Sequence, residues 1–130
     1  MKLLLDTHVL LWSLLEPDRL KEDVAFELNN PSNDIWLSLI TSWEIMILVE
    51  KGRVILNQPP QTWIRSIFEK MPFKQAMINH EVAIQSRLVD LPHQDPADRF
   101  LAATAMVYDL ILVTADPRLL SSKQFSVLPA

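Results

Sequence analysis

The chain has 130 residues, no cysteine, a single glycine and a formal net charge of −4. That length suits one domain able to bury roughly two-thirds of the surface its unfolded form exposes, and the missing cysteines exclude disulfides, thiolate nucleophiles and Cys-ligated zinc. The acidic balance argues against a broad basic face for gripping nucleic acid, and Gly52 alone cannot build the Gly-rich phosphate loops of nucleotide-binding sites.

Lys2 to Asp6 reads as a short strand, apolar without alternation as a central parallel strand covered on both faces requires, with Asp6 at its carboxyl end. The apolar opening is interrupted by Asp6 and His8, with no small-residue cleavage site after it. The later run from Phe100 to Val113 is broken by Tyr108 and Asp109 and is too short to span a bilayer. These features predict a soluble cytoplasmic protein with no membrane partner.

A helix from about Val9 to Leu15 stops near Glu16-Pro17, and a second carries Leu20, Val24 and Leu28 on one face. After the turn cluster Asn29 to Asn33, Ile35 to Ile40 forms the next strand, followed by Thr41 or Ser42 as a helix cap. The helix from Trp43 to about Lys51 then has Glu44 in its first turn and ends at Gly52, where a left-handed residue is most often found. Its apolar positions Ile45, Ile47, Leu48 and Val49 surround much of the helix, which implies burial or a subunit contact.

Pro59-Pro60 opens a helix with Trp63, Ile64, Ile67, Phe68 and Met71 at helical spacing, aromatics that read as core rather than as a platform for stacking bases. Phe73 to Ile78 is a further strand, and Asn79 caps a helix running to about Val89. His80-Glu81 begins like a zinc-protease helix, but Ile84 stands where the second histidine belongs. Asp95 caps the next helix, whose first position is Pro96, so Asp98 falls in its first turn. Leu110 to Thr114 is a strand with Asp116 just beyond, then a short helix around Arg118 to Leu120 and a last strand near Phe125 to Leu128. No repeat or long linker divides the chain, so one domain over residues 1–130 is expected.

Strands alternating with helices imply a parallel sheet with helices on both faces, and such a sheet delivers every strand's carboxyl end to one edge. Asp6, Glu44 and Asp116 follow strands; Asp98 joins them if the loop from Leu91 to Asp95 carries the chain to that edge. Singly, each acid is explained as a cap, a turn residue or a helix-dipole partner. Gathered, they repel one another unless a cation is present. Hard oxygen ligands with no Cys and no clustered His suit Mg²⁺ or Mn²⁺, ions that activate water and stabilise charge on a phosphodiester.

The stretches Leu3-Leu4-Leu5-Asp6-Thr7-His8-Val9-Leu10-Leu11-Trp12, Ser42-Trp43-Glu44-Ile45 with Gly52-Arg53, His93-Gln94-Asp95-Pro96-Ala97-Asp98-Arg99 and Leu112-Val113-Thr114-Ala115-Asp116 together resemble PIN-domain ribonucleases, and within them the VapC toxins of toxin–antitoxin pairs. The resemblance implies a PIN-like (Rossmann-like) five-stranded parallel sheet in the order 3-2-1-4-5, metal-dependent cleavage of RNA, homodimerisation and inhibition by a cognate antitoxin. It makes Asp6 and Asp98 the first candidates for direct metal ligands, with Glu44 and Asp116 completing the acidic site. Asp95 fits the motif, although its cap role suffices. Thr7 and Thr114 are candidates to orient carboxylates, Arg99 and Arg118 to hold a phosphate or pair with the acids, and His8 and His93 to carry protons. Ala97 and Leu48 depart from the family pattern, which has an aromatic residue and a lysine there.

Two other readings compete. One is a PIN-fold interaction module with weak or lost catalysis. The other is a phosphatase or receiver built on a phosphorylated aspartate, but His8 stands where the haloacid-dehalogenase type wants a second Asp.

Overall fold

A computed structural model describes residues 1–130 as strands and helices in alternation. The strands are β1 (Lys2–Leu5), β2 (Asp34–Ser38), β3 (Lys74–Ala76), β4 (Ile111–Thr114) and β5 (Val127–Pro129). They form one sheet in the order β3-β2-β1-β4-β5, and every pair is parallel. The order anticipated from the resemblance is the order found. The helices are α1 (Thr7–Leu15), α2 (Glu22–Asn29), α3 (Leu39–Glu50), α4 (Pro60–Lys70), α5 (His80–Leu88), α6 (Pro96–Tyr108) and α7 (Pro117–Leu120).

β1 is central, with Leu4 registered against Trp36 on one side and Leu112 on the other. Successive side chains of a strand point to opposite faces, and the core divides accordingly. Leu3 and Leu5 join Val9, Leu10, Val24, Ile45 and Trp63 from α1 to α4. Leu4 packs with Leu101, Ala102 and Ala105 of α6 and with Leu119 of α7. The run of leucines without alternation is therefore accounted for by helices on both faces. No helix is long and apolar enough to cross a membrane.

The strand expected over Ile35 to Ile40 stops at Ser38, and Ser38, not Thr41 or Ser42, caps the following helix by accepting the Ile40 N–H at 3.1 Å. Apolar residues flank Ser38 on both the strand and the helix side, so hydrophobicity alone does not mark the switch. Because α3 begins at Leu39, Glu44 lies in the second turn rather than the first. Gly52 ends this helix as expected, at φ 69°, with the Arg53 N–H donating to the Leu48 carbonyl at 2.9 Å. β3 and β5 differ by a few residues from their expected limits, and Leu20 precedes α2 while still packing on the core.

Candidate metal centre

Asp6 is both the last residue of the β1 ladder and the cap of α1. Its N–H donates to the Val113 carbonyl at 3.0 Å, its Oδ1 accepts the His8 N–H at 3.3 Å, and its Oδ2 accepts the Thr114 hydroxyl at 2.6 Å. Thr114, at the end of the neighbouring β4, also accepts the Asp116 N–H at 3.1 Å. Asp116 caps α7 through the Arg118 N–H at 2.9 Å, and Asp95 caps α6 through the Asp98 N–H at 3.2 Å. The starts of α1, α6 and α7 thus meet at one edge of the sheet, each presenting the positive end of its backbone dipoles.

There a cleft of about 280 Å³ brings Asp6, Glu44, Asp98 and Asp116 together, with Asp95 beside them and His8, Trp12 and Arg118 completing the wall. The loop ahead of α6 does carry the chain to this edge. Glu44, a turn too far into α3 to serve its dipole, faces the cleft instead.

The electrostatics are those of crowded acids. Burial raises the pKa of Asp6 most, opposed by the Thr114 hydroxyl and increased further by Asp116. Burial likewise raises Glu44, countered by the Thr7 hydroxyl and reinforced by Asp6 and Asp95. Asp98 is raised by burial and by the charges of Asp95, Asp6 and Asp116, while its bond to His93 lowers it. Asp116 alone is lowered, by its hydrogen bonds to Arg118.

Ligand atoms of His93, Asp98 and Asp116 lie within 4.8 Å of one another, a grouping able to hold a metal ion. Asp6 and Glu44 line the same cleft outside that trio. His93 Nε2 is 2.7 Å from Asp98 Oδ2, and its Nδ1 is buried with no hydrogen-bond partner. At that separation the ring nitrogen and the carboxylate oxygen share one hydrogen bond. Sequence reasoning gave His93 only a proton-carrying role and missed this contact with Asp98, and it missed Trp12 in the wall. The signal for His93 was its place two residues ahead of the Asp95 cap.

Thr114 donates to Asp6, and Thr7, whose hydroxyl lowers the pKa of Glu44, also donates to the Thr41 hydroxyl at 3.3 Å. Arg118 pairs with the acids: Nη2 is 2.9 Å from Asp116 Oδ2 and 3.5 Å from Asp98 Oδ2. Arg99 does neither of the things expected of it. It is buried, forms no ion pair, and donates to the carbonyls of Ser86 (2.8 Å), His93 (3.1 Å), Arg87 (3.3 Å) and Val89 (2.8 Å). Adjacent residues of a helix point about 100° apart, so Arg99 faces away from the cleft that Asp98 faces. Leu48 is buried in the core, in keeping with its departure from lysine.

The family model for the PIN domain matches residues 3–124. The chain belongs to the PIN-domain family. Ribonuclease VapC22 of Mycobacterium tuberculosis is 30% identical to it over 123 residues, spanning 92% of this chain and 91% of that protein, which puts this PIN domain among the VapC-type members. Among solved structures, VapBC2 from Rickettsia felis bound to a promoter DNA fragment matches 99% of this chain and 98% of its own with a TM-score of 0.68 and 14% identity. A toxin–antitoxin complex from Klebsiella pneumoniae matches 96% and 94% with a TM-score of 0.64 and 22% identity. At those identities the two structures share the PIN fold with this chain.

Proposed function

We propose that this PIN domain, taken as a single domain over residues 1–130, is a metal-dependent endoribonuclease and the toxin of a toxin–antitoxin pair. The observation that carries the reading is the convergence of Asp6, Glu44, Asp98 and Asp116, from four separate segments, on one cleft where burial and mutual repulsion raise three of their pKa values. Structural caps need no such crowding. The 30% identical relative is a ribonuclease and one fold neighbour is a toxin–antitoxin complex, and both point the same way.

The donor set fits a hard divalent cation, Mg²⁺ or Mn²⁺, with Asp6 and Asp98 as direct ligands and Glu44 and Asp116 completing the shell. Such an ion supplies a Lewis acid that activates water and offsets charge building on the phosphate. The chain's own part is preorganisation. Thr114 fixes one oxygen of Asp6 and leaves the carboxylate turned to the cleft; His93 does the same for Asp98. Attack of water on phosphorus would break the P–O3′ bond, the leaving 3′ oxygen taking up a proton, and give 5′-phosphate and 3′-hydroxyl ends. We assign RNA as substrate, a cognate antitoxin as inhibitor, the cytoplasm as location and a homodimer as the working form. Exposed Leu39 and Trp43 on α3, with Ile84 and Leu88 on α5, offer apolar surface for a second copy.

The test is cleavage of total RNA with the ends mapped, run beside Asp6→Asn and Asp98→Asn. Loss of cutting in both variants and in EDTA is expected; cutting that survives either treatment overturns the metal-dependent reading. The same chain retaining tight antitoxin binding without any cutting would favour the interaction-module alternative.

A further inference from the structure

Arg118 stands on the wall between two hollows. One is the acidic cleft, where its guanidinium takes both oxygens of Asp116, Nε to Oδ1 at 3.2 Å and Nη2 to Oδ2 at 2.9 Å, and reaches Oδ2 of Asp98 at 3.5 Å. The other is a polar hollow of about 400 Å³ between the loop after α5 and the turn after α7, lined by Arg118, Lys123, Ser121, Ser122, Asp90 and Gln124. Its two walls are tied together by the Asp90 N–H, which donates to Gln124 Oε1 at 2.6 Å. Ser122 Oγ accepts the Gln124 N–H at 3.3 Å, and Ser121 Oγ donates to the Arg118 carbonyl at 3.3 Å. Two of the three charged groups lining it are cations.

These contacts set up a competition. The guanidinium takes both oxygens of Asp116 and reaches the Asp98 oxygen that His93 already holds, so a divalent cation drawing on Asp116 would have to compete with it. The side chain is 52% exposed and long, so it is free to leave the acids. On its other side lies a hollow with a second cation, Lys123, and the Ser122 hydroxyl, the chemistry that receives a phosphate.

We propose that Arg118 is a two-position arm. Seated on Asp116 and Asp98 it competes with the divalent cation; turned into the neighbouring hollow it joins Lys123 in holding an RNA phosphate next to the one that is cut. The inference deepens the ribonuclease reading and rests on it. It also makes a demand that a plain surface ion pair does not: removing Arg118 must improve metal binding and impair RNA binding at once.

Mn²⁺ binding is measured by calorimetry in the wild-type chain, Arg118→Gln, Arg118→Lys and Lys123→Gln. Binding of a fluorescent mixed-sequence single-stranded RNA is measured by anisotropy across a salt series, with each variant placed in the Asp6→Asn background to suppress cutting. Arg118→Gln should bind Mn²⁺ tighter by roughly threefold, the scale of an exposed ion pair, Arg118→Lys should fall between it and wild type, and Lys123→Gln should match wild type. Arg118→Gln and Lys123→Gln should each weaken RNA binding and reduce the log–log salt slope by about 0.7, the loss of one phosphate contact on a single strand. Unchanged or weaker Mn²⁺ binding in Arg118→Gln overturns the inference alone, as does an unchanged salt slope. A wild-type chain that takes no Mn²⁺ overturns the metal-dependent reading and the arm with it.

Discussion

Asp98 and Arg99 are neighbours in sequence, both largely buried at the start of α6, yet their surroundings differ in kind. Arg99 sits in a socket of four carbonyl oxygens from α5 and the loop after it, four of its five N–H donors used and no ion pair formed. Asp98 sits among Asp95, Asp6 and Asp116, whose charges raise its pKa, with His93 and Arg118 as partial relief. A buried charge whose hydrogen bonds are largely met holds structure together. A set of like charges pressed together stores repulsion that a bound cation can release. The two side chains also depend on each other, because the carbonyl of His93 that Arg99 pins belongs to the residue bonded to Asp98.

Replacing Arg99 by Met is the most disruptive way to break this comparison. It removes the partner of four carbonyls, those of Ser86 and Val89 in buried contacts, and we expect a loss of about 3 kcal/mol and a fall of roughly 10 °C in Tm. Arg99→Lys keeps the charge but cannot span the socket, so it should recover less than half of that loss. A chemical-denaturation series measures both; near-neutral values would mean that the socket is not structural.

The acid side should respond the other way. Asp98→Asn is expected to lower RNA cleavage by about a hundredfold or more while leaving the metal-free protein at least as stable as wild type. A loss of stability there to match Arg99→Met would erase the distinction between the two regions.

Glu44→Gln gives a finer test, since Glu44 is raised by burial and by its acidic neighbours and caps nothing. A raised carboxyl stabilises the fold below its ordinary pKa, 4.5 here, and that contribution is lost as pH rises through the folded value. Asp6 and Asp98 act in the same direction, and Asp116, lowered by Arg118, acts in the opposite one as pH falls below 3.8. Without metal, Glu44→Gln should therefore melt about 2–4 °C above wild type at pH 7, with the gap closing near pH 4. A gap independent of pH would assign the change to packing.

The smallest effect serves as a control away from both regions. Asp109 ends α6 at φ 54°, a left-handed conformation that glycine adopts without a Cβ clash. Asp109→Gly should stabilise by about 0.5 kcal/mol and leave cleavage unchanged. A change in activity would extend the site's influence to the far end of the helix.

Most of this arrangement was legible in the sequence because its signals are local. The apolar run of β1, the Asp95-Pro96 start of α6 and Gly52 after α3 each have one strong physical reading, and each is met. The sheet order came with the resemblance, since periodicity does not say which strands pair. The start of α3 was not legible, because the residues on both sides of Ser38 are apolar whether strand or helix. That four-residue error hid a useful fact: Glu44 is beyond the reach of the helix dipole, which removes its simplest structural explanation. Arg99 departs from expectation because adjacency to Asp98 in sequence is not adjacency in space. Its carbonyl partners come from α5 and the loop after it, and backbone carbonyls leave no mark in composition or spacing.

Thermal unfolding during titration with Mn²⁺ addresses the central claim most directly, comparing the wild-type chain with Asp6→Asn and Asp98→Asn. An ion held by the clustered carboxylates raises the wild-type Tm progressively with its concentration, the stabilisation reaching about 2–3 kcal/mol when the ion is at a hundred times its Kd, and moves each variant much less. A wild-type curve that does not respond, or three curves that rise together, would contradict the account.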